Sequence, residues 1–221
     1  RLSLYISQPL GILSFLACLL VALESAGDWR APGETKLVTR IQFAFQWPLG
    51  MLSLMYGTSF ALMDVPFFWG TPASCLAQGF LVHASITAAI LVDLVMSLCY
   101  LLMVEWQWQE QQLKILEPWF HMLVWPAALG PAVYLLVQQM YAPAVHMCWI
   151  ASCKDDPGCK MQHHEALLFR TSLHLLALFH VCFSVYVIAR VFHYTTASHL
   201  EACRAVARRG LWYAASVMVV H

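Results

Sequence analysis

The stretch that most constrains this chain is residues 75–106, CLAQGFLVHASITAAILVDLVMSLCYLLMVEW. Between Cys75 and Glu105 lie 29 residues, and among them only Asp93 carries a formal charge. A helix of that length, at about 1.5 Å per residue, exceeds the roughly 30 Å of bilayer hydrocarbon and crosses it with tilt. A soluble fold has no use for so long an uncharged run. The composition agrees: 61% of the residues are hydrophobic and 11% charged, with a mean hydropathy of +0.66. An average soluble domain has about 25% charged residues. The chain reads as an all-α, polytopic transmembrane bundle, treated as one domain over 1–221.

Five further apolar runs follow the same logic, giving spans at about 2–23, 41–63, 76–104, 119–141, 167–192 and a short one at 211–221. Pro48 with Gly50, Pro126 and Pro131 fall inside spans, where neighbouring helices tolerate the kinks they cause. The connecting stretches carry turn residues and interfacial aromatics, among them Phe67, Phe68, Trp69, Trp106 and Trp108. The last run has 11 residues, about half of what a span needs. The sequence is therefore expected to be cut at both ends, with residues beyond His221 completing a sixth span and adding a seventh.

Counting basic residues sets the expected orientation. The loops after spans 1, 3 and 5 hold Arg30, Lys36, Arg40, Lys114, Arg190, Arg204, Arg208 and Arg209; the other side holds Arg1, Lys154, Lys160 and Arg170. The richer side is assigned to the cytoplasm, which puts the N-terminus outside or in a lumen. The formal net charge of zero gives no reason to expect nucleic acid as a partner. Membrane lipid is the expected surrounding.

Of eight cysteines, Cys75, Cys148, Cys153 and Cys159 fall on the side assigned outside. This placement suits an oxidising compartment and two disulfides, for which three connectivities are open. Cys153 and Cys159 bracket the turn sequence KDDPG, which fits a local bridge and leaves Cys75 to pair with Cys148. The alternative is a metal site using these thiols with His163 and His164, although no CxxC knuckle is present.

An outer N-terminus, a cysteine opening the third span and a partner cysteine in the second outer loop together resemble seven-helix G-protein-coupled receptors. Two local motifs narrow the likeness. Cys75-Leu76-Ala77-Gln78-Gly79-Phe80 is similar to the C-x-x-Q-G-F start of the third helix in the slime-mould cyclic-AMP receptor family. Met147-Cys148-Trp149-Ile150 resembles that family's second outer loop, a form shared with secretin-type receptors. Trp125-Pro126 ahead of Gly130-Pro131 is a weaker match to the fourth helix. The resemblance implies a seven-helix fold, a Cys75–Cys148 bridge and coupling to a heterotrimeric G protein. One departure is plain: Cys99-Tyr100 stands where rhodopsin-like receptors carry an acid–arginine pair.

Candidate site residues follow from depth. Gln78, His83, Trp149, Arg170 and His174 lie where an outward-opening ligand pocket would sit. Arg170 would bind an anionic group, or else reach toward lipid headgroups; the histidines would otherwise be satisfied core residues. Asp93, about 27 Å along the helix from Cys75, is too deep for that pocket. A carboxylate there must face the bundle and find a partner, so it is either an internal switch or a packing feature. Arg190, Arg204, Arg208 and Arg209 would face a cytoplasmic partner or anionic lipid. The sequence has no nucleophile–base pair, phosphate loop or redox CxxC, and neither catalysis nor a cofactor is expected.

Two other classes compete. One is a structural subunit packed against neighbouring membrane subunits. The other is a bis-histidine haem oxidoreductase, in which His83 would face His174, with His121, His180 and His193 as further candidates.

Overall fold

The computed structural model describes residues 71–143, 148–150 and 163–198, together with 13, 15–20, 23, 47, 48 and 50. These residues are mostly helical. Three helices are long and apolar enough to cross a membrane: α1 (Pro72–Glu105), α2 (Glu110–Val137) and α3 (His163–Ser198, whose apolar part is Glu165–Tyr194). A two-stranded antiparallel hairpin, β1 (Tyr141–Pro143) and β2 (Cys148–Ile150), lies between α2 and α3. The chain is an integral membrane protein on this helical content. The predicted spans at 41–63 and 211–221 lie almost wholly outside the described residues, as do Cys153, Cys159, Arg204, Arg208 and Arg209.

Helix α1 is the hub. Of its most apolar window, 61% is buried inside the protein, against 22% for α2 and α3. Its start is written locally. Pro72 occupies the first turn, Ser74 N–H donates to Thr71 Oγ1 (3.1 Å), and Thr71 N–H donates to Ser74 Oγ (2.8 Å). This reciprocal cap satisfies donors that the first turn leaves open. Small residues Ala84, Ser85, Ala88 and Ala89 let neighbouring backbones approach closely. The helix stops where Gln107 turns to a positive φ of 53° and Trp108 N–H closes back on Leu102 O (3.1 Å).

Helix α2 begins nine residues before the expected 119 and leaves its helical geometry before the expected 141. Two causes act at the start. Gln109 N–H donates to Gln112 Oε1 (3.0 Å), and Leu113 is fully buried. Leu113, Leu116, Phe120 and Val124 then recur at helical spacing, so the polar residues between them occupy the other face. At the far end Gln139 adopts a positive φ of 54°, with Met140 N–H bonded to Leu135 O (2.9 Å) and Gln139 N–H to Leu136 O (3.0 Å). This left-handed cap reverses the chain at once into β1. Helix α3 also runs past its expected 167–192 at both ends.

The hairpin pairs Tyr141 with Ile150, Ala142 with Trp149 and Pro143 with Cys148. Three-residue strands are not stable alone. Here Tyr141 and Ile150 pack with Leu135, Met140 and Ala166, against Leu76 and Phe80 of α1. Tyr141 lies directly on Gly79. A Cβ at residue 79 would stand 2.5 Å from Tyr141 Cγ. The ring has little room to retreat, because it is buried and its hydroxyl donates to Ala132 O (3.3 Å). Gly79→Ala gains about 1 kcal/mol of helix propensity, but overpacking costs about 1–3 kcal/mol. We expect net destabilisation, relieved when Tyr141→Ala is added. Equilibrium unfolding in mixed micelles measures both effects, and additive losses would contradict the contact.

Candidate functional site

The hairpin covers one end of α1 and is attached to it by a Cys75–Cys148 disulfide, with both cysteines buried. Beside the bridge, Cys148 N–H donates to Gln78 Oε1 (3.2 Å). From the other flank, Arg170 of α3 donates to the Ile150 carbonyl through Nε (3.0 Å) and Nη2. Gln78 and Arg170, both candidates for ligand contact, are thus occupied in holding the hairpin down. Arg170 does not reach away from the protein toward headgroups, because its guanidinium turns to the loop backbone.

His83 and Trp149 are brought together, with ring centroids 5.9 Å apart. Tyr141, which no sequence pattern singles out, completes the group at 6.4 Å from the His83 ring. Burial pushes the Tyr141 phenol above its ordinary pKa of about 10. His83 is 3% exposed, and its Nδ1 makes no hydrogen bond among the described residues. A buried polar atom without a partner is a costly feature to retain. His174 does not join this group. It is exposed, and its Nδ1 lies 2.6 Å from Arg170 O on its own helix. The His83–His174 face-to-face pairing that a bis-histidine haem would need is therefore absent. His121 is engaged elsewhere, accepting from Trp125 Nε1 (3.3 Å).

Deeper in the bundle, Asp93 meets His180. The Nε2 of His180 is hydrogen-bonded to Asp93 Oδ2, and each residue is 4% exposed. Each side chain gives the other a hydrogen-bond partner, which limits the cost of placing polar groups at membrane depth. On α1, Asp93 shares a face with Val82, Ile86 and Ile90, which pack on Leu173, Leu176 and Ala177 of α3. Ser184, one turn beyond His180, has a buried hydroxyl without a hydrogen-bond partner among the described residues.

A third link joins the same two helices at the end opposite the hairpin. Arg190 pairs with Glu105 through Nη2 and, at 3.4 Å, through Nε; its guanidinium carbon lies 5.3 Å over the Tyr194 ring. Arg190 is accordingly engaged within the protein and half-buried, not presented freely to a partner as its sequence context suggested. Links at 78–148–170, 93–180 and 105–190 rise in the same order on both helices, so α1 and α3 run parallel. Twelve residues separate Asp93 from Glu105 and ten separate His180 from Arg190, about 18 and 15 Å of helix.

No family model matches the chain, and no curated protein matches it.

Proposed function

We propose that this chain is the helical core of a receptor that senses an outside ligand beneath the hairpin and signals inward by a shift of α3 against α1. The supporting observation is the buried Asp93–His180 pair. It joins two parallel spans midway between a disulfide-anchored cover and an ionic link at the far end. A hydrogen-bonded buried pair has a strong made state and a costly broken state, so it suits a two-state packing change better than a graded one.

The route is physical. A ligand bonding His83 Nδ1 would press on Trp149, which packs on the same α1 cluster of Val82, Ile86 and Ile90 as Leu173 and Leu176 of α3. Displacing α3 there alters its register on α1, and with it the Asp93–His180 and Glu105–Arg190 links. Release at Glu105 and Arg190 would open the end of the bundle where the basic residues Arg204, Arg208 and Arg209 follow in sequence. The receptor family resemblance of the Cys75–Phe80 and Met147–Ile150 motifs supports a heterotrimeric G protein as the partner at that end.

Basal nucleotide exchange on a purified heterotrimeric G protein tests this without knowledge of the ligand. With full-length protein in lipid nanodiscs, Glu105→Gln and Arg190→Gln should each raise basal exchange severalfold over wild type. No exchange by the wild type or either variant would reject G-protein coupling and favour a structural subunit.

A further inference from the structure

Helices α1, α2 and α3 enclose an apolar groove of about 420 Å³, walled by Leu94, Val95 and Leu98 of α1, Phe120 and Leu123 of α2, and Phe183 of α3. We propose that this groove is a binding site for an acyl chain of a bilayer lipid, drawn from the leaflet at the Glu105 end. The inference stands on the groove and does not require the receptor reading.

Three observations select the occupant. First, the volume falls in the range of small-molecule pockets, about 300–1,000 Å³, but such pockets carry a few placed polar groups to orient a ligand. Every residue lining this one is apolar. An occupant must be hydrocarbon where it lies in the groove, with its polar part held elsewhere.

Second, the groove opens on the side of the protein that meets lipid. Leu123 is 69% exposed and Phe179, also at the lining, 59%. Exposed apolar side chains on membrane-crossing helices belong to the hydrocarbon layer.

Third, the depth matches one leaflet. The wall on α1 runs from Leu91 to Leu98, beyond the midpoint of Pro72–Glu105 and toward Glu105. That end carries an aromatic pair, exposed Trp106 against Trp108 (centroids 6.3 Å apart). Tryptophans of this kind mark the headgroup level. A lipid whose head rests there extends its chain directly along the groove. Its position has a consequence. Leu94 follows Asp93 in sequence and Phe179 precedes His180, so a chain seated in the groove braces α1 against α3 beside the buried pair.

The test uses full-length protein in nanodiscs containing a phosphatidylcholine with a photoactivatable diazirine midway along one acyl chain. After irradiation, labelled peptides are mapped by mass spectrometry. Labelling should concentrate at Leu98, Phe120, Leu123 and Phe183, at least fivefold above lipid-facing Leu129 and Leu175. Ala127→Trp fills the groove from α2 and Leu98→Trp from α1. Loss of the concentrated labelling in either variant, with the Cys75–Cys148 bridge intact, supports the site. Even labelling over all lipid-facing positions, or labelling unchanged by both variants, would show annular lipid only and overturn it.

Discussion

Asp93→Ala is expected to lower the stability of the folded bundle by about 3–5 kcal/mol, because it leaves the other member of a buried pair without its partner. His180→Ala should cost a similar amount. The two losses should not add. Once one member is gone, removing the second relieves an unpaired buried group, so the double variant should be no worse than the more damaging single one. Replacing both by leucine goes further. A well-packed apolar pair of similar volume is often neutral or stabilising by about 1–4 kcal/mol, so Asp93→Leu/His180→Leu should fold at least as well as wild type. Equilibrium unfolding in mixed micelles measures all four proteins. Additive losses would show that the two residues are not coupled.

The leucine pair separates structure from function. If Asp93 and His180 only fixed packing, their apolar replacement would leave every other property in place. In the receptor reading, the replacement removes the costly broken state and with it the sharpness of the transition. A stable but unresponsive protein is the expected result.

The second large effect belongs to the bridge that holds the hairpin. Cys75 and Cys148 are 73 residues apart in sequence, and closing a loop of that length constrains the unfolded chain strongly. The entropic model gives about 4 kcal/mol for such a loop. An unfolded membrane protein keeps its spanning helices, so the closed segment is stiffer than a free coil and the effect smaller. We expect Cys75→Ser and Cys148→Ser each to cost about 2–4 kcal/mol, the usual range for a disulfide. In a background where Cys153 and Cys159 are serine, reductant should destabilise the otherwise native protein by the same amount and leave either variant unchanged. Arg170→Ala in the Cys148→Ser background should then release the hairpin further, because it removes the hairpin's hydrogen bonds to α3 after its covalent tie to α1 is gone. An unchanged midpoint on reduction would contradict this part of the account.

Much of the frame was legible in the residues themselves. The uncharged run of α1 is a local signal and survives any tertiary context. The burial of Asp93 followed from cost alone. Its partner did not, because pairing depends on how two helices are set in depth and rotation, which neither sequence encodes separately. One route was open: placing Glu105 level with Arg190 carries Asp93 to within about one turn of His180. Reading Arg190 as a loop charge, for the purpose of orientation, closed that route; it lies inside α3. The early start of α2 was hidden for a related reason. Its Gln and Glu residues mask the helical spacing of Leu113, Leu116 and Phe120. The hairpin left only an indirect trace. Its strands are too short for propensity to decide, and their geometry comes from the disulfide and from Tyr141 seated on Gly79. That glycine, in a helix otherwise free to carry larger residues, was the mark of a close approach.

The claim at the centre is that α3 is held against α1 by Asp93 and His180 and shifts when they part. It is tested most directly by the separation of the two helix ends. Spin labels at Trp106→Cys and Phe192→Cys, both exposed positions next to the Glu105–Arg190 link, can be placed in a background where Cys182 and Cys203 are serine. Double electron–electron resonance in nanodiscs should give one dominant, narrow distance for the otherwise native protein. Adding Asp93→Asn should create a second, longer population. A single distance shared by both proteins would contradict the account.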